Sequence, residues 1–141
     1  MKKNLILCPV DYSESTEPAV AIAADLAQAN QSKVVLLHVA DPKGDPISID
    51  DSHNQKFQDR LRDQYLSMKN VQFEHVSRRG DPAEVTVEYA KKAEADLIVM
   101  GTHGRSGLAS VIVGSVARRV MARAPCPVVT VKLPSVSTVK S

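Results

Sequence analysis

Nearly continuous apolar runs recur along the chain, separated by segments in which apolar residues follow a helical spacing. Four such runs lie at Leu5–Val10, 33–39, 96–100 and 127–132. A strand that is apolar without alternation is buried on both faces, which is typical of a parallel sheet. Residues 71–76 instead alternate apolar and polar. We therefore expect a fifth strand there, with one wetter face, at the edge of the sheet.

Helix signals fill the segments between these strands. A serine at the start of segment 15–30 can cap a helix, and Pro18 is tolerated in its first turn. The Asp-Pro-Ala-Glu sequence at 81–84 combines a cap, a proline at the first helical position and a capping-box glutamate. We expect that helix to end near Glu94 and a short helix to span Ser115–Arg123.

Three other segments complete the chain. Residues 41–53, rich in Asp, Pro and Gly, predict a long polar loop. A stripe at helical spacing follows and predicts a helix with a core-facing side; it consists of Phe57, Leu61, Tyr65 and Met68. Residues 133–141 predict a frayed tail. The alternation of strands and helices predicts a single α/β domain over 1–141 with a parallel sheet, and right-handed crossovers leave few topologies.

Composition and charge remove several classes of function. The chain has 141 residues, of which 43% are hydrophobic and 24% charged, as in an ordinary globular protein. Lys and Arg total 18 against 16 Asp and Glu, so no basic stripe favours a nucleic-acid partner. No apolar run reaches the roughly 18 residues that span a bilayer, and none near the start is long enough for a signal peptide. The cytoplasm is therefore the default location.

The two cysteines, Cys8 and Cys126, are expected to be free thiols in a reducing compartment. Cys8 lies in an apolar strand and is interpreted as a small buried hydrophobe. No Cys and His spacing resembles a zinc site.

Candidate chemistry follows the strands, because ligands of doubly wound sheets bind outside the carboxyl ends of strands. Residues 101–107 read Gly-Thr-His-Gly-Arg-Ser-Gly. The glycines allow close backbone approach to a ligand, while the hydroxyls and the arginine suit phosphate. Gly114-Ser115 then opens a helix whose free N–H groups suit an anion. Asp11, after the first strand, could accept hydrogen bonds from a ribose or a base.

Each feature also has a plain structural interpretation. A Gly-x-x-Gly segment is commonly a turn, Gly114-Ser115 commonly a helix cap, and Asp11 could cap the turn or helix after strand 1. It is their combination at strand ends that favours a nucleotide. The sequence has no Walker A motif, and the Gly-x-Gly-x-x-Gly fingerprint of dinucleotide sites is absent after strand 1.

The spacing Gly101-x2-Gly104-x9-Gly114-Ser115 resembles the ATP-binding motif of the universal stress proteins. Three further stretches resemble that family: ILCPVDYSE, RRGDPAEVTVEYAKKAEADLIVMGTHG and GSVARRVMARAPCPVVTVK. The resemblance covers residues 3–132. It implies a doubly wound, five-stranded parallel sheet in order 3-2-1-4-5 and a homodimer formed largely through strand 5, Pro127 to Lys132.

The resemblance also implies a site for ATP, or for ADP or AMP, with or without Mg²⁺. Adenine and ribose would contact Pro9, Asp11 and Val39. Phosphates would contact a larger set, namely Gly101, Thr102, His103, Gly104, Arg105, Ser106, Gly107, Gly114, Ser115, Val116 and Ala117. Two residues depart from the family pattern. Tyr12 replaces a common glycine, and Ala117 replaces a Ser or Thr whose hydroxyl could hold a terminal phosphate or its metal.

Three functions compete at this point. The first is a nucleotide-responsive regulatory homodimer in the stress response. The second is a slow ATP hydrolase or nucleotidyl transferase that uses the same pocket, although His103 is the only candidate base in the loop. The third, a receiver-type phosphorylation domain, is disfavoured because Val76-Ser-Arg-Arg contains no acid.

Overall fold

The computed structural model of the chain describes residues 4–11, 16–40, 59, 71–102 and 114–132. These ranges contain five strands: β1 (Leu5–Val10), β2 (Lys33–Ala40), β3 (Gln72–Arg79), β4 (Leu97–Gly101) and β5 (Val128–Val131). They also contain three helices, α1 (Thr16–Asn30), α2 (Pro82–Ala93) and α3 (Ser115–Arg123). The predicted loop at 41–53, the tail at 133–141 and the four residues of the predicted helical stripe, Phe57, Leu61, Tyr65 and Met68, lie outside the described residues.

The strands form one parallel sheet in the order β3-β2-β1-β4-β5. The predicted α/β class and strand order are confirmed, as is the edge position of β3. The prediction for β3 was too short, because the strand continues from Val76 to Arg79. Its last three residues are all polar, so the apolar–polar alternation ends at Val76. They nevertheless remain paired with β2, where Arg79 lies opposite Ala40.

The two faces of the sheet pack against different helices. On one face α1 contributes the fully buried Ala19, Ala23 and Ala27. Their spacing of four residues puts them on one side of the helix, and their small side chains let it lie close to the sheet. On the other face, Ala90 of α2 and Val120 of α3 pack among the buried strand residues. β1 lies between the two layers.

The start of α2 follows the prediction closely. Asp81 is the N-cap, its Oδ2 accepts the N–H of Glu84 at 2.9 Å, and Pro82 begins the helix. Gly80 precedes the cap with a φ of +139°, a conformation that side chains disfavour. The N–H of Gly80 donates to the carbonyl oxygen of Ala40 at 3.0 Å, so this turn is fastened to the end of β2.

Both cysteines are free, and Cys8 is fully buried, as predicted. Burial raises the pKa of Cys8 to about 12. The pKa of Cys126 is raised by partial burial and by the charge of Asp96. Neither environment promotes the thiolate that reactive cysteines need. Among the described helices, none is long and apolar enough to cross a membrane.

Candidate functional site at the strand switch point

The order of the strands reverses between β1 and β4. From β1 the chain moves outward to β2 and β3, and then returns to the other side of β1 as β4. The helix α1 follows β1 on one face, whereas α2 precedes β4 on the opposite face. Loops after such neighbouring strands diverge to opposite faces and leave room for a ligand. We call the carboxyl ends of β1, β2 and β4, together with the N-terminus of α3, the switch-point edge.

The pairing of β1 with β4 stops before this edge. The register of β1 with β2 runs through all six residues to Val10 opposite His38, whereas its register with β4 ends at Leu7 opposite Ile98. Pro9 gives the physical reason. Leu5 directs its backbone groups at β4, since its carbonyl oxygen accepts the N–H of Asp96 at 2.9 Å. The backbone groups of a strand alternate in direction, so those of residue 9 also face β4. Because residue 9 is a proline, it has no N–H to donate to β4.

Thr102, the residue after β4, is a backbone junction. Its N–H donates to the carbonyl oxygen of Val131 in β5 at 3.1 Å, and its carbonyl oxygen accepts the N–H of Gly114 at 2.6 Å. The residue is only 3% exposed. The hydroxyl that the sequence predicts as a ligand contact is therefore buried, and the backbone of Thr102 links β4 to β5 and to the start of α3.

The N-terminus of α3 supplies donors for an anion. Gly114 is the N-cap and, having no side chain, gives no side-chain cap hydrogen bond. The first intrahelical bond that reaches the cap runs from the N–H of Arg118 to the carbonyl oxygen of Gly114 at 3.1 Å. The preceding amides, of Ser115, Val116 and Ala117, have no acceptor within the helix. Such amides, with the helix dipole, attract a negatively charged group.

Two details change the interpretation of this helix start. Gly114 has φ −62° and ψ 158°, which any residue can adopt, so a glycine is not needed there for backbone freedom. If glycine matters at this position, it matters because a side chain would occupy the space next to the donors. Ala117 is 2% exposed and packs in the core with Val120. It can therefore present only its amide to a ligand.

Asp11 lies directly after β1 and is half-buried. Its Oδ1 accepts the hydroxyl of Thr16, the first residue of α1, at 3.2 Å. The carboxylate is thus linked to the first residue of α1. The contact occupies one oxygen and orients the carboxylate beside the end of β1.

The structure gathers most of the predicted site residues at the switch-point edge. Those on the described chain are Pro9, Asp11, Val39, Gly101, Thr102, Gly114, Ser115, Val116 and Ala117. The predicted contacts His103, Gly104, Arg105, Ser106 and Gly107 lie outside the described residues. Within the described ranges, no cluster of three or more His, Cys, Asp or Glu side chains could hold a metal ion.

Sequence reasoning missed one feature near this edge. Arg119 of α3 contacts Asp81, the N-cap of α2, with its Nη2 3.0 Å from Oδ2. The hydrogen bond from Arg119 holds the pKa of the Asp81 carboxyl below its usual range, with the Glu84 amide and the charge of Arg119 acting in the same direction. The two residues are 38 positions apart, and no local pattern links them.

Comparison with known proteins agrees with this architecture. The family model described as the universal stress protein family matches residues 4–132. The chain belongs to the universal stress protein family. The match extends from the residue before β1 to the residue after β5, so the family assignment covers the whole described fold. The resemblance found in the sequence is thereby confirmed.

Individual members of the family are similar over nearly the full chain. A universal stress protein of Methanocaldococcus jannaschii is 33% identical over an alignment of 139 positions, which covers 92% of this chain and 82% of the relative. The structure of the universal stress protein UspA from Lactobacillus plantarum has a TM-score of 0.76 at 27% identity, covering 93% of this chain and 99% of that one.

Two other solved members contain nucleotides. A universal stress protein in complex with cAMP has a TM-score of 0.68 at 26% identity, covering 94% of this chain and 98% of that one. A universal stress protein from Archaeoglobus fulgidus in complex with dAMP has a TM-score of 0.62 at 25% identity, covering 92% and 97%. Nucleotide binding therefore occurs among the structural neighbours of this chain.

Proposed function

We propose that this protein binds an adenine nucleotide, with ATP as the first choice, and acts as a nucleotide-responsive regulatory homodimer in the stress response. One observation carries the proposal. The β1–β4 ladder ends at Leu7 and Ile98, and α3 begins beyond β4 at Gly114, an N-cap without a side chain to accept the first amides. A gap between strands next to an anion-attracting helix start suits a nucleoside that carries phosphate.

The two halves of the nucleotide meet different residues in this proposal. Asp11 and the backbone of Val39 lie at the ends of β1 and β2, where they suit ribose and adenine. Gly101 and the amides of Ser115 and Val116 lie on the β4 side, where they suit phosphates. The nucleotides cAMP and dAMP in two structural neighbours support an adenine nucleotide of some kind. The preference for a triphosphate rests on the intact Gly-x2-Gly-x9-Gly-Ser spacing.

Mg²⁺ could bind together with the triphosphate, but the described residues of the site provide few ligands for it. Among the described members of the site, Asp11 is the only carboxylate, and one of its oxygens already accepts the Thr16 hydroxyl. Ala117 supplies no hydroxyl. We therefore expect a bound Mg²⁺ to be held chiefly by phosphate oxygens, as is common for this ion.

We also propose that β5 mediates the homodimer. It is the last strand in the sheet order, and its residues Val128–Val131 are all half-buried. An apolar edge strand is a template for pairing with another chain, and natural proteins cover it. A second copy related by a twofold axis would cover it and close the assembly. A nucleotide bound at the switch-point edge would then change the surface that this dimer presents to a regulatory partner.

Calorimetry on protein freed of endogenous ligand tests nucleotide binding directly. The protein should be unfolded, washed, refolded and titrated with ATP, ADP, AMP and cAMP. We expect a dissociation constant for ATP below about 1 mM, which corresponds to roughly −4 kcal/mol. Mass spectrometry of ligand released from the unwashed protein would identify the physiological nucleotide. No heat signal and no thermal protection by any of the four nucleotides would refute the proposal.

A further inference from the structure

The carboxylate of Asp81 joins two helices. Arg119 approaches it with both terminal nitrogens, Nη1 at 3.1 Å from Oδ1 and Nη2 at 3.0 Å from Oδ2. The Oδ2 atom also accepts the N–H of Glu84 at 2.9 Å. One side chain thus caps α2 and holds α3 by a two-point contact, the geometry in which arginine fixes both distance and direction.

The contact also connects the two halves of the proposed site. Asp81 follows Gly80, whose N–H is bonded to Ala40, the residue after Val39 on the nucleoside side. Arg119 lies four residues after Ser115, about one turn from the first amides of the helix on the phosphate side. One path from one half to the other therefore runs through this ion pair.

Within the described residues, the other contacts of α3 are one backbone hydrogen bond at its start and apolar packing. The N–H of Gly114 bonds to Thr102, and Ala117 and Val120 are buried in the core. Apolar packing is not directional, so a helix held by it can rotate or slide. A helix of nine residues has little stability of its own and takes its position from such tertiary contacts.

We propose that Asp81 and Arg119 are positioning residues that set where the amides of Ser115 and Val116 lie relative to the nucleoside half of the site. The inference rests on the proposed function for the identity of the ligand. It assigns the pair no direct contact with the nucleotide. It predicts that the pair affects phosphate binding and leaves nucleoside binding nearly unchanged.

The size of the effect follows from exposure. The side chain of Arg119 is 44% exposed and that of Asp81 is 36% exposed, so water and salt screen their attraction. Losing such a pair should weaken ATP binding by about three- to fivefold at low salt, and by less at high salt. Adenosine, which has no phosphate, should lose less than about twofold on the same argument.

The experiment compares three variants with the natural protein. Arg119→Gln removes the cation, whereas Asp81→Ser removes the charge and keeps an acceptor for the helix cap. Arg123→Gln is the matched control, because it removes the same charge from the last turn of the same helix. Dissociation constants for ATP and adenosine are measured for each. We expect Arg119→Gln and Asp81→Ser to lower the ratio of ATP to adenosine affinity, and Arg123→Gln to leave it unchanged.

Hydrogen exchange in the ligand-free protein gives a second readout. The amide of Arg118, bonded to Gly114, and the amide of Gly114, bonded to Thr102, report the first turn of α3. Both should exchange at least about threefold faster in Arg119→Gln than in Arg123→Gln. An unchanged ATP-to-adenosine ratio, or equal exchange in the two variants, would overturn the inference. If the natural protein binds no adenine nucleotide, the proposed function fails, and the exchange rates alone decide the positioning role.

Discussion

The amide of Gly114 donates to the carbonyl oxygen of Thr102 across 2.6 Å, and this bond joins the start of α3 to the end of β4. Thr102 in turn donates its own N–H to Val131 in β5. The amides proposed to bind phosphate and the strand proposed to form the dimer are therefore attached to the same residue. A ligand that displaces α3 would therefore affect β5 through two hydrogen bonds, from Gly114 to Thr102 and from Thr102 to Val131.

Two glycines should respond differently to substitution. Gly114 has an extended conformation open to any residue, so Gly114→Val should fold with a stability within about 1 kcal/mol of the natural protein. Its side chain would fill the space beside the first amides of α3. We expect ATP binding to weaken by more than about tenfold, or roughly 1.4 kcal/mol, as measured by calorimetry.

Gly80→Ala is the comparison for that variant. At φ +139°, a side chain costs about 1–3 kcal/mol, and its Cβ would come within 2.9 Å of Val85 Cγ2. Urea unfolding should show this loss, while the folded protein should lose less affinity for ATP than Gly114→Val does. Full ATP binding by Gly114→Val would show that the helix start does not contact the ligand.

Thr130→Pro should separate the dimer without unfolding the sheet. Pro127 and Val131 accept hydrogen bonds from β4, so alternation turns the N–H of Thr130 toward the outer edge of β5. A proline at 130 removes a donor on the dimer side only. By light scattering we expect twice the 15.3 kDa chain mass for the natural protein and the single mass for the variant.

Val129→Pro is the matched variant for this experiment. It would remove a donor that faces β4 and should therefore lower the free energy of unfolding by about 3 kcal/mol or more. A natural protein that stays at one chain mass at micromolar concentration would contradict the proposed dimer.

Stability should fall as the pH drops from 7 to 5, partly because of His75. The pKa of His75 is lowered from 6.5, first by burial and then by the positive charge of His38. The two imidazoles share one side of the sheet, since His75 lies opposite Leu36 and His38 follows two residues later. The folded state thus binds fewer protons than the unfolded state. The stability is complete above pH 6.5 and decreases as the pH falls toward the folded pKa.

Urea unfolding of the natural protein and of His75→Gln at pH 7 and pH 5 measures this contribution. The variant should lose less stability over that interval. An equal loss in the two proteins would mean that His75 does not contribute to the pH dependence.

Turnover of ATP should be very slow or absent. Efficient hydrolysis needs an oriented water and stabilised charge on the γ-phosphate, usually with a well-held metal ion. In the proposed arrangement Asp11 lies at the nucleoside end, and Ala117 directs only a methyl group into the core. We expect phosphate release far below the roughly 10 s⁻¹ typical of enzymes. Gly114→Val controls for contaminating ATPases. Sustained release near one per second that this substitution abolishes would favour the enzyme.

The sequence predicts the fold well because its elements are locally coded. The unbroken apolar run at 33–39 marks a buried strand, and Asp81-Pro82 marks a helix start, with no need of distant residues. Strand order depends on distant pairing, and only the family resemblance supplied it.

For the candidate site, the sequence predicts which residues follow the strands but not the contacts that these residues make. The sequence locates Gly114 and Asp11 near strand ends, yet it does not reveal that the Thr102 hydroxyl is buried or that Asp11 bonds Thr16. Pro9 is visible in the sequence, but its effect depends on which neighbour its nitrogen faces. The contact of Asp81 with Arg119 required the packing of α3 beside α2.

The position of β5 after the other four described strands has a consequence for synthesis on the ribosome. In the sheet, β3, β2, β1 and β4 are neighbours in that order. All four of these strands leave the ribosome before Val128 does. Nascent domains fold as units as they leave the ribosome, and exposed strand edges invite misassembly. The strand proposed to pair between subunits, β5, joins the edge of the sheet after the other four strands can already have formed it. Unfinished copies on one messenger RNA thus lack the segment through which they would associate.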